Sequence, residues 1–272
     1  MIDPQCQWAI QIEVTNACTR ACSNCTRFVG HHPKPFFVTV DEFRRDASAL
    51  SDFPSQSPPA VHSPLKVVGM IGGEPLLHPQ FAELAEIMAD EIPDHEHRGL
   101  WTGLRWESTK YADLIRRTFG VINNNRHDSE CRHSPILVAV ADVIEDPFER
   151  QRLIDDCWLQ RTWSATITPR GFFFCEVAGS LDLLFDGPGG LLVEPGCWRR
   201  PLADFQEQID WACNRCGIPL NMRGRIDHED MDDVSRTNLE KLADSPRVKA
   251  GQYVLHDRVD AETVEQPWRY LQ

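Results

Sequence analysis

The sequence lacks any long apolar run and any excess of positive charge. No stretch of about 18 consecutive apolar residues occurs, so there is no candidate for a membrane-spanning helix. The first ten residues, MIDPQCQWAI, contain no basic region followed by a long apolar one, and we therefore expect a cytoplasmic protein. The 41 Asp and Glu outnumber the 28 Lys and Arg, which gives a formal net charge of -13. Because such a surface repels phosphate backbones, we expect no partnership with duplex nucleic acid and none with membranes.

Cysteine is abundant in this sequence, which has ten of them. The chain has 272 residues, 42% of them hydrophobic, which is sufficient for one large core or one core with a small satellite. In a cytoplasmic chain of this size, clustered cysteines more often bind metal than form disulfides. Seven of the ten cysteines fall into two sets, and Cys6, Cys131 and Cys157 stand outside them. We interpret Cys157 as a packed thiol, because it lies on the apolar stripe of a predicted helix.

The first set, Cys18, Cys22 and Cys25, forms a C-x3-C-x2-C loop directly after a predicted strand, Ile10 to Val14. Three thiolates in one tight loop can each bind one iron of a four-iron cluster, which leaves the fourth iron without a protein ligand. The alternative is a zinc site, which needs a distant fourth ligand.

A second motif follows the next predicted strand, Val67 to Ile71, and consists of Gly72, Gly73, Glu74 and Pro75. Taken alone, this GGEP segment could be a surface turn. Together with the cysteine loop it resembles the radical SAM enzymes, in which the CxxxCxxC loop follows the first barrel strand and GGEP follows the second.

The resemblance implies a [4Fe-4S] cluster on Cys18, Cys22 and Cys25, with S-adenosylmethionine bound at the open iron. It also implies that the GGEP segment supports the methionyl ammonium group of this cofactor. One position departs from the pattern, because Asn24 stands where many members have an aromatic residue near the adenine. The adenine contact is therefore open, with Phe28 or a backbone group as candidates.

Polar side chains follow the predicted fourth strand, in the segment Asn123 to Asp128. The carboxyl end of a barrel strand is where such folds hold ligands. The resemblance implies that Asn123 or Asn125 binds the ribose or carboxylate of the cofactor. The alternative is an Asn-rich surface turn.

Strands alternate with amphipathic helices over the first 160 residues, which predicts parallel strands with right-handed crossovers. A capping box at Thr39 and Glu42 begins the first helix, and the apolar run Ile136 to Ala141 is predicted as a fifth strand. Length and resemblance together favour an α/β fold with a partial (β/α)6 radical SAM barrel over residues 1–160.

The second cysteine set begins after a predicted hairpin, formed by Trp163 to Pro169 and Phe172 to Phe174. Its members are Cys175, Cys197, Cys213 and Cys216. Spacing does not choose between a cluster and a zinc ion, since both accept four thiolates. The resemblance extends to the twitch domain, a shortened SPASM domain, and implies a second, auxiliary [4Fe-4S] cluster.

We assign residues 161–225 to this small hairpin and helix unit and residues 226–272 to a C-terminal tail. The acidic run Asp227 to Asp233 in the tail is interpreted as a solvated face.

The expected function is reductive cleavage of S-adenosylmethionine to a 5'-deoxyadenosyl radical. This radical would take hydrogen from a small molecule, nucleotide or peptide, and the auxiliary cluster would assist an oxidation or a bond formation. The expected partner is an electron donor such as flavodoxin or ferredoxin. Two alternatives stay open: an epimerase or isomerase of a modified nucleotide or natural-product precursor, and a non-catalytic iron-sulfur or zinc binding module.

Overall fold

The computed structural model describes residues 1–61, 63–125 and 131–259. The strands are β1 (Ala9–Thr15), β2 (Val67–Gly72), β3 (Arg98–Thr102), β4 (Val121–Asn124), β5 (Arg132–His133), β6 (Ser164–Thr168), β7 (Gly171–Phe173), β8 (Arg225–Ile226), β9 (Asp232–Ser235) and β10 (Tyr253–His256). The α-helices are α1 (Val40–Ala49), α2 (Phe53–Gln56), α3 (Phe81–Glu91), α4 (Ala112–Thr118), α5 (Val140–Val143), α6 (Pro147–Asp155), α7 (Trp158–Thr162), α8 (Glu176–Phe185), α9 (Gln206–Ala212), α10 (Arg236–Lys241) and α11 (Pro246–Lys249).

Six strands form the central sheet, in the order β4-β3-β2-β1-β6-β7. The neighbours from β4 to β6 pair in parallel, and β7 pairs antiparallel with β6. The protein is therefore a mixed α/β fold with a mostly parallel sheet, as the alternation of strands and helices predicts. Helices α1, α3 and α4 follow β1, β2 and β3 in the chain, and the capping box at Thr39 and Glu42 begins α1.

The two faces of the sheet differ in chemistry because side chains alternate along each strand. Ile10, Ile12, Val68 and Met70 belong to the large apolar core that the sheet shares with the helices. The opposite face carries buried Gln11, Glu13 and Trp101. The ring of Trp101 lies directly over two glycines: a Cβ at Gly69 would come within 2.1 Å of it and one at Gly99 within 2.5 Å. This second face thus combines buried polar side chains with a small apolar cluster of Ala9, Val67, Ile71 and Trp101.

The predicted fifth strand is wrong. Residues 136–140 are buried, but residues 136–139 form a loop and Val140 begins the short helix α5. Their backbone groups bond outside the central sheet: the Gly217 N–H donates to the Ile136 carbonyl, and the Ser235 N–H donates to the Leu137 carbonyl. An apolar run indicates that a segment is buried on all sides. It does not indicate a strand, because a loop packed between other elements is buried in the same way.

The predicted hairpin exists as β6 and β7, and it continues the central sheet beside β1. The boundary at residue 160 therefore falls between elements of one sheet, while the division into three units stays a prediction. The tail contains a two-stranded parallel pair, β9 and β10, and residues 260–272 lie outside the described part of the chain. No helix in the described ranges is both long enough and apolar enough to cross a bilayer.

Candidate active-site cavity

A cavity of about 770 Å³ lies over the carboxyl ends of β1 to β4. Its wall contains nearly all of the residues predicted for the first site: Cys18, Cys22, Cys25, Gly72, Gly73, Glu74, Asn123 and Asn125. Pro75 is buried in a short 3-10 turn and does not line the cavity. The structure therefore brings the cysteine loop, the glycine-rich strand end and the polar end of β4 to one place.

The ends of β1 and β2 are joined tightly beside the cysteine loop. The Gly73 N–H donates to the Thr15 carbonyl at 2.7 Å, and the Glu74 N–H donates to the Ala17 carbonyl at 2.7 Å. A Cβ on Gly73 would lie 2.5 Å from the Ala17 carbonyl oxygen. Glycine is needed here because the two backbones touch.

Glu74 connects β2 to β3 through its carboxylate. This group accepts from the Thr102 hydroxyl at 2.8 and 3.0 Å, from the Gly103 N–H at 2.9 Å and from the Leu76 N–H at 3.1 Å. The side chain is buried, and burial raises the pKa of its carboxyl group. Glu74 thus holds the strand ends in register, and Thr102 and Gly103, at the end of β3, are its partners.

The three thiols of the loop lie close to one another. Burial raises the pKa of Cys22 to about 12, and the neighbouring Cys25 adds to the shift. The pKa of Cys18 is also raised, by burial first and then by Cys25. In the described ranges, no three His, Cys, Asp or Glu side chains are close enough together to hold a single metal ion. Thiolates that bind separate irons of one cluster stand farther apart than the ligands of one ion.

At the end of β4, the Asn125 N–H donates to the Thr102 carbonyl at 2.9 Å. Its side-chain oxygen accepts from the thiol of Cys131 at 3.6 Å. Cys131, which the sequence left unassigned, also lies 3.7 Å from Nε2 of His133, and both line the cavity. Arg126, His127 and Asp128 of the predicted polar segment lie outside the described residues.

Phe28, the side chain predicted as a candidate for the adenine contact, is buried and does not line the cavity, and neither does Asn24. Trp101 is the aromatic residue of the cavity wall beside Gly72, and its indole Nε1 has no hydrogen-bond partner within the described residues.

A buried ion pair in the cavity wall was not predicted from the sequence. Nη2 of Arg27 lies 2.8 Å from the carboxylate of Glu176, and Nη1 lies 3.9 Å from that of Glu13. Burial raises the pKa of Glu13 to about 7 despite the attraction of Arg27. Arg27 follows Cys25 by two residues and Glu176 follows Cys175 by one, so this pair connects the segments that carry the two cysteine sets.

The second cysteine set differs from the prediction in one member. Cys157, Cys175, Cys213 and Cys216 line one small cavity. Cys157 contributes to the raised pKa of each of the other three, after burial. Leu159 and Ile218 line both this cavity and the large one, so the four thiols lie just behind the wall of the candidate active site.

Cys197 does not lie with the other three predicted thiols. It is buried at the start of a short 3-10 turn, and the pKa of its thiol is raised to about 11 by burial, with a contribution from Asp46 of α1. The adjacent Trp198 packs edge-on against Phe53 at 5.5 Å and donates to the Asp52 carboxylate at 2.9 Å. This turn therefore packs against α1 and α2, away from the small cavity.

Comparison with known proteins finds likeness among solved structures but not among sequences. No protein-family model matches the chain, and no curated protein sequence matches it either. Among solved structures, the crystal structure of BtrN in complex with AdoMet and 2-DOIA is similar at a TM-score of 0.43 and 13% sequence identity. The alignment covers 77% of this chain and 92% of that chain.

Proposed function

We propose that this protein is a radical SAM enzyme. It cleaves S-adenosylmethionine reductively to a 5'-deoxyadenosyl radical and removes hydrogen from a small-molecule, nucleotide or peptide substrate. The observation that carries the proposal is that the cysteine loop, the Gly72 to Glu74 strand end and the polar end of β4 line one cavity. A binding module with purely structural cysteines has no need for such a cavity.

The residues present fit the two groups that this chemistry needs. Cys18, Cys22 and Cys25 offer three thiols to a [4Fe-4S] cluster, and their loop supplies no fourth. When bound, this cluster supplies the single electron that breaks a carbon-sulfur bond of S-adenosylmethionine, and a donor such as flavodoxin or ferredoxin provides that electron. A cavity of about 770 Å³ lies within the range of pockets that hold a cofactor and a small substrate.

The chain's own contribution is placement and exclusion of water. Backbone groups at Gly72 and Gly73 are brought beside the cysteine loop, where they can bind the cofactor's ammonium group, and Glu74 fixes their position. Asn123 and Asn125 offer amide groups to its ribose or carboxylate. Trp101, Trp158 and Trp163 line the wall with apolar surface. Since a carbon radical attacks whatever it touches, a dry wall and a substrate held close are both required.

We also propose that Cys157, Cys175, Cys213 and Cys216 hold the auxiliary [4Fe-4S] cluster, with Cys157 in place of Cys197. Four thiols around one small cavity match the donor set of such a cluster. The zinc ion that the spacing also allowed is less well supported, because no three of these side chains in the described ranges are close enough to hold a single ion. Because Leu159 and Ile218 line both cavities, a cluster held by these four thiols would lie beside the substrate space. This placement favours an oxidation or bond formation, in which the substrate gives up a second electron.

The position of Cys131 favours a second way in which the proposed reaction could end. Its thiol lines the cavity beside Asn125 and His133. Nδ1 of His133 donates to the Ser23 carbonyl at 2.9 Å, which leaves Nε2 as the acceptor that faces the thiol. A thiol in this place could return a hydrogen atom to a substrate radical, and the thiyl radical left on Cys131 would take one electron from the external donor and one proton. The substrate would then undergo an epimerisation or isomerisation without net oxidation.

The test is anaerobic reconstitution followed by dithionite reduction with S-adenosylmethionine. We expect 5'-deoxyadenosine from the wild type and from Cys6→Ala, whose thiol lies outside both cavities, and none from Cys18→Ala. The EPR spectrum of the reduced cluster should also change when S-adenosylmethionine is added, with or without substrate. An unchanged spectrum, or 5'-deoxyadenosine from Cys18→Ala, would contradict the proposal.

A further inference from the structure

We propose that the C-terminal segment is a positioning device for the cysteine loop, acting through a set of buried contacts that we call the clasp. The clasp consists of Asp227, Met231, Asp232, Asp233 and Arg247. The inference rests on the proposed function in one respect, that the loop holds a cluster. The interpretation of the acidic run as a solvated face is wrong, because Asp227, Asp232 and Asp233 are buried. Such a run is typical of a solvated surface, so this role could not be predicted from the residues alone.

Asp232 is the centre of the clasp. One of its carboxylate oxygens accepts from the backbone N–H of Asn24 and from Nη1 of Arg247 at 2.9 Å. The other lies 2.8 Å from Nε2 of His31. All four residues are buried, so the carboxylate keeps its partners without competition from water.

Arg247 contacts the loop directly between its cysteines. Nη1 donates to the Cys22 carbonyl at 3.3 Å, and Nη2 donates to the Ala21 carbonyl. A Cβ at Gly30 would lie 2.5 Å from Nε of Arg247, so glycine at that position makes room for the guanidinium. The planar fork of arginine is suited to two adjacent carbonyls, and lysine has only a point charge to offer.

The same segment fixes the backbone at Ser23 and Asn24. The Ser23 N–H donates to the Asp227 carbonyl at 2.7 Å, and the Met231 N–H donates to the Ser23 hydroxyl at 3.2 Å. Asn24 is left-handed, with φ of 49°, and its side chain exchanges two hydrogen bonds with Asp233, at 2.8 and 2.9 Å. Asparagine tolerates this conformation better than an aromatic residue does. The departure from the family pattern at this position is thus explained by a structural role.

These contacts act on the loop that carries the proposed iron ligands. The eight residues from Cys18 to Cys25 contain no helix or strand, so their conformation depends on what surrounds them. Partners behind metal ligands orient them, and hydrogen bonding near the sulfurs tunes the reduction potential of a cluster. The clasp should therefore determine how firmly the loop holds iron and how the cluster responds to S-adenosylmethionine. Asp232 and Arg247 are positioning residues, since neither lines the cavity.

The experiment compares reconstituted Asp232→Asn and Arg247→Lys with the wild type. The control is Arg236→Ala in the same segment. This substitution removes an exposed ion pair in which Nη2 of Arg236 lies 2.9 Å from the carboxylate of Asp257. Three quantities are measured: the rate of iron release to a chelator, the midpoint potential, and the EPR change that S-adenosylmethionine causes. The last of these reports on the cluster of the Cys18 to Cys25 loop alone.

We expect both clasp variants to release iron from this loop at least about tenfold faster than the wild type, in line with other losses of support behind metal ligands. The potential should shift and the EPR change should weaken, while Arg236→Ala stays at the wild-type values. Circular dichroism checks that each variant folds. If Asp232→Asn fails to fold, the result for Arg247→Lys decides whether the clasp has a positioning role, because this variant retains the positive charge beside Asp232.

If a folded clasp variant shows the same iron release rate, midpoint potential and EPR change as the wild type, the proposed positioning role is wrong. A wild-type protein that assembles no cluster on the loop would instead overturn the proposed function.

Discussion

Exchanging Cys157 and, separately, Cys197 for serine tests which thiol completes the second cysteine set. The two residues make a matched pair, because each is a largely buried cysteine that begins a short helical segment. Cys157 lines the small cavity with Cys175, Cys213 and Cys216, whereas Cys197 packs with the turn that contacts α1 and α2.

The expected magnitude follows from the number of ligands. Two four-iron clusters give about eight irons per chain, and removing one of four thiolates from the second site should reduce this to about four. Cys157→Ser should therefore retain the first cluster and the cleavage of S-adenosylmethionine, with loss of the final product. Cys197→Ser should keep about eight irons per chain, because Cys197 does not line the small cavity with the other thiols.

The assay is iron and sulfide counting after anaerobic reconstitution, with EPR to separate the two clusters. Burying a serine hydroxyl costs each variant about 1–3 kcal/mol of the free energy of unfolding, so loss of stability alone affects both alike. A thermal unfolding curve for each variant checks this. About four irons in Cys197→Ser together with about eight in Cys157→Ser would refute the assignment and restore the ligand set predicted from sequence.

Two other substitutions test the cavity and the buried carboxylate of Glu13, which lies beside the ion pair in its wall. Gly73→Ala should lower the free energy of unfolding by roughly 1–3 kcal/mol, because its Cβ would lie 2.5 Å from the Ala17 carbonyl oxygen. The same substitution should abolish the EPR response to S-adenosylmethionine. A normal response would show that the ends of β1 and β2 can separate without loss of the site. For Glu13, the folded-state pKa is raised from 4.5 to about 7, so the folded protein retains a proton that the unfolded chain loses between these values. Stability should fall as the pH rises through that window, by at most roughly 3 kcal/mol, and Glu13→Gln should remove this dependence in urea unfolding of the iron-free protein at pH 5 and pH 8. Equal pH dependence in both proteins would show that Arg27 keeps Glu13 ionised.

Local patterns in the sequence were sufficient for the main elements of the first site. The cysteine loop and the GGEP segment each follow an apolar strand, and the carboxyl ends of adjacent parallel strands meet at one edge of a sheet. Their meeting in one cavity was therefore predictable from strand order. Asn123 and Asn125 were found by the same reasoning, since they end the fourth strand.

What the tertiary structure alone decided involves residues far apart in the chain. Cys157 and Cys197 are both isolated thiols in sequence, and only packing places Cys157 beside Cys175 and Cys213. The run Ile136 to Ala141 is apolar because it is covered on all sides, and periodicity cannot identify which element covers it.

Asp232 and Arg247 look like surface charges until the fold buries them against the cysteine loop, more than two hundred residues away. The sequence by itself determined which groups could bind iron and cofactor, because that depends on residue type and short spacing. Which partners support those groups was decided by the tertiary structure, because burial and long-range contact are properties of the folded chain.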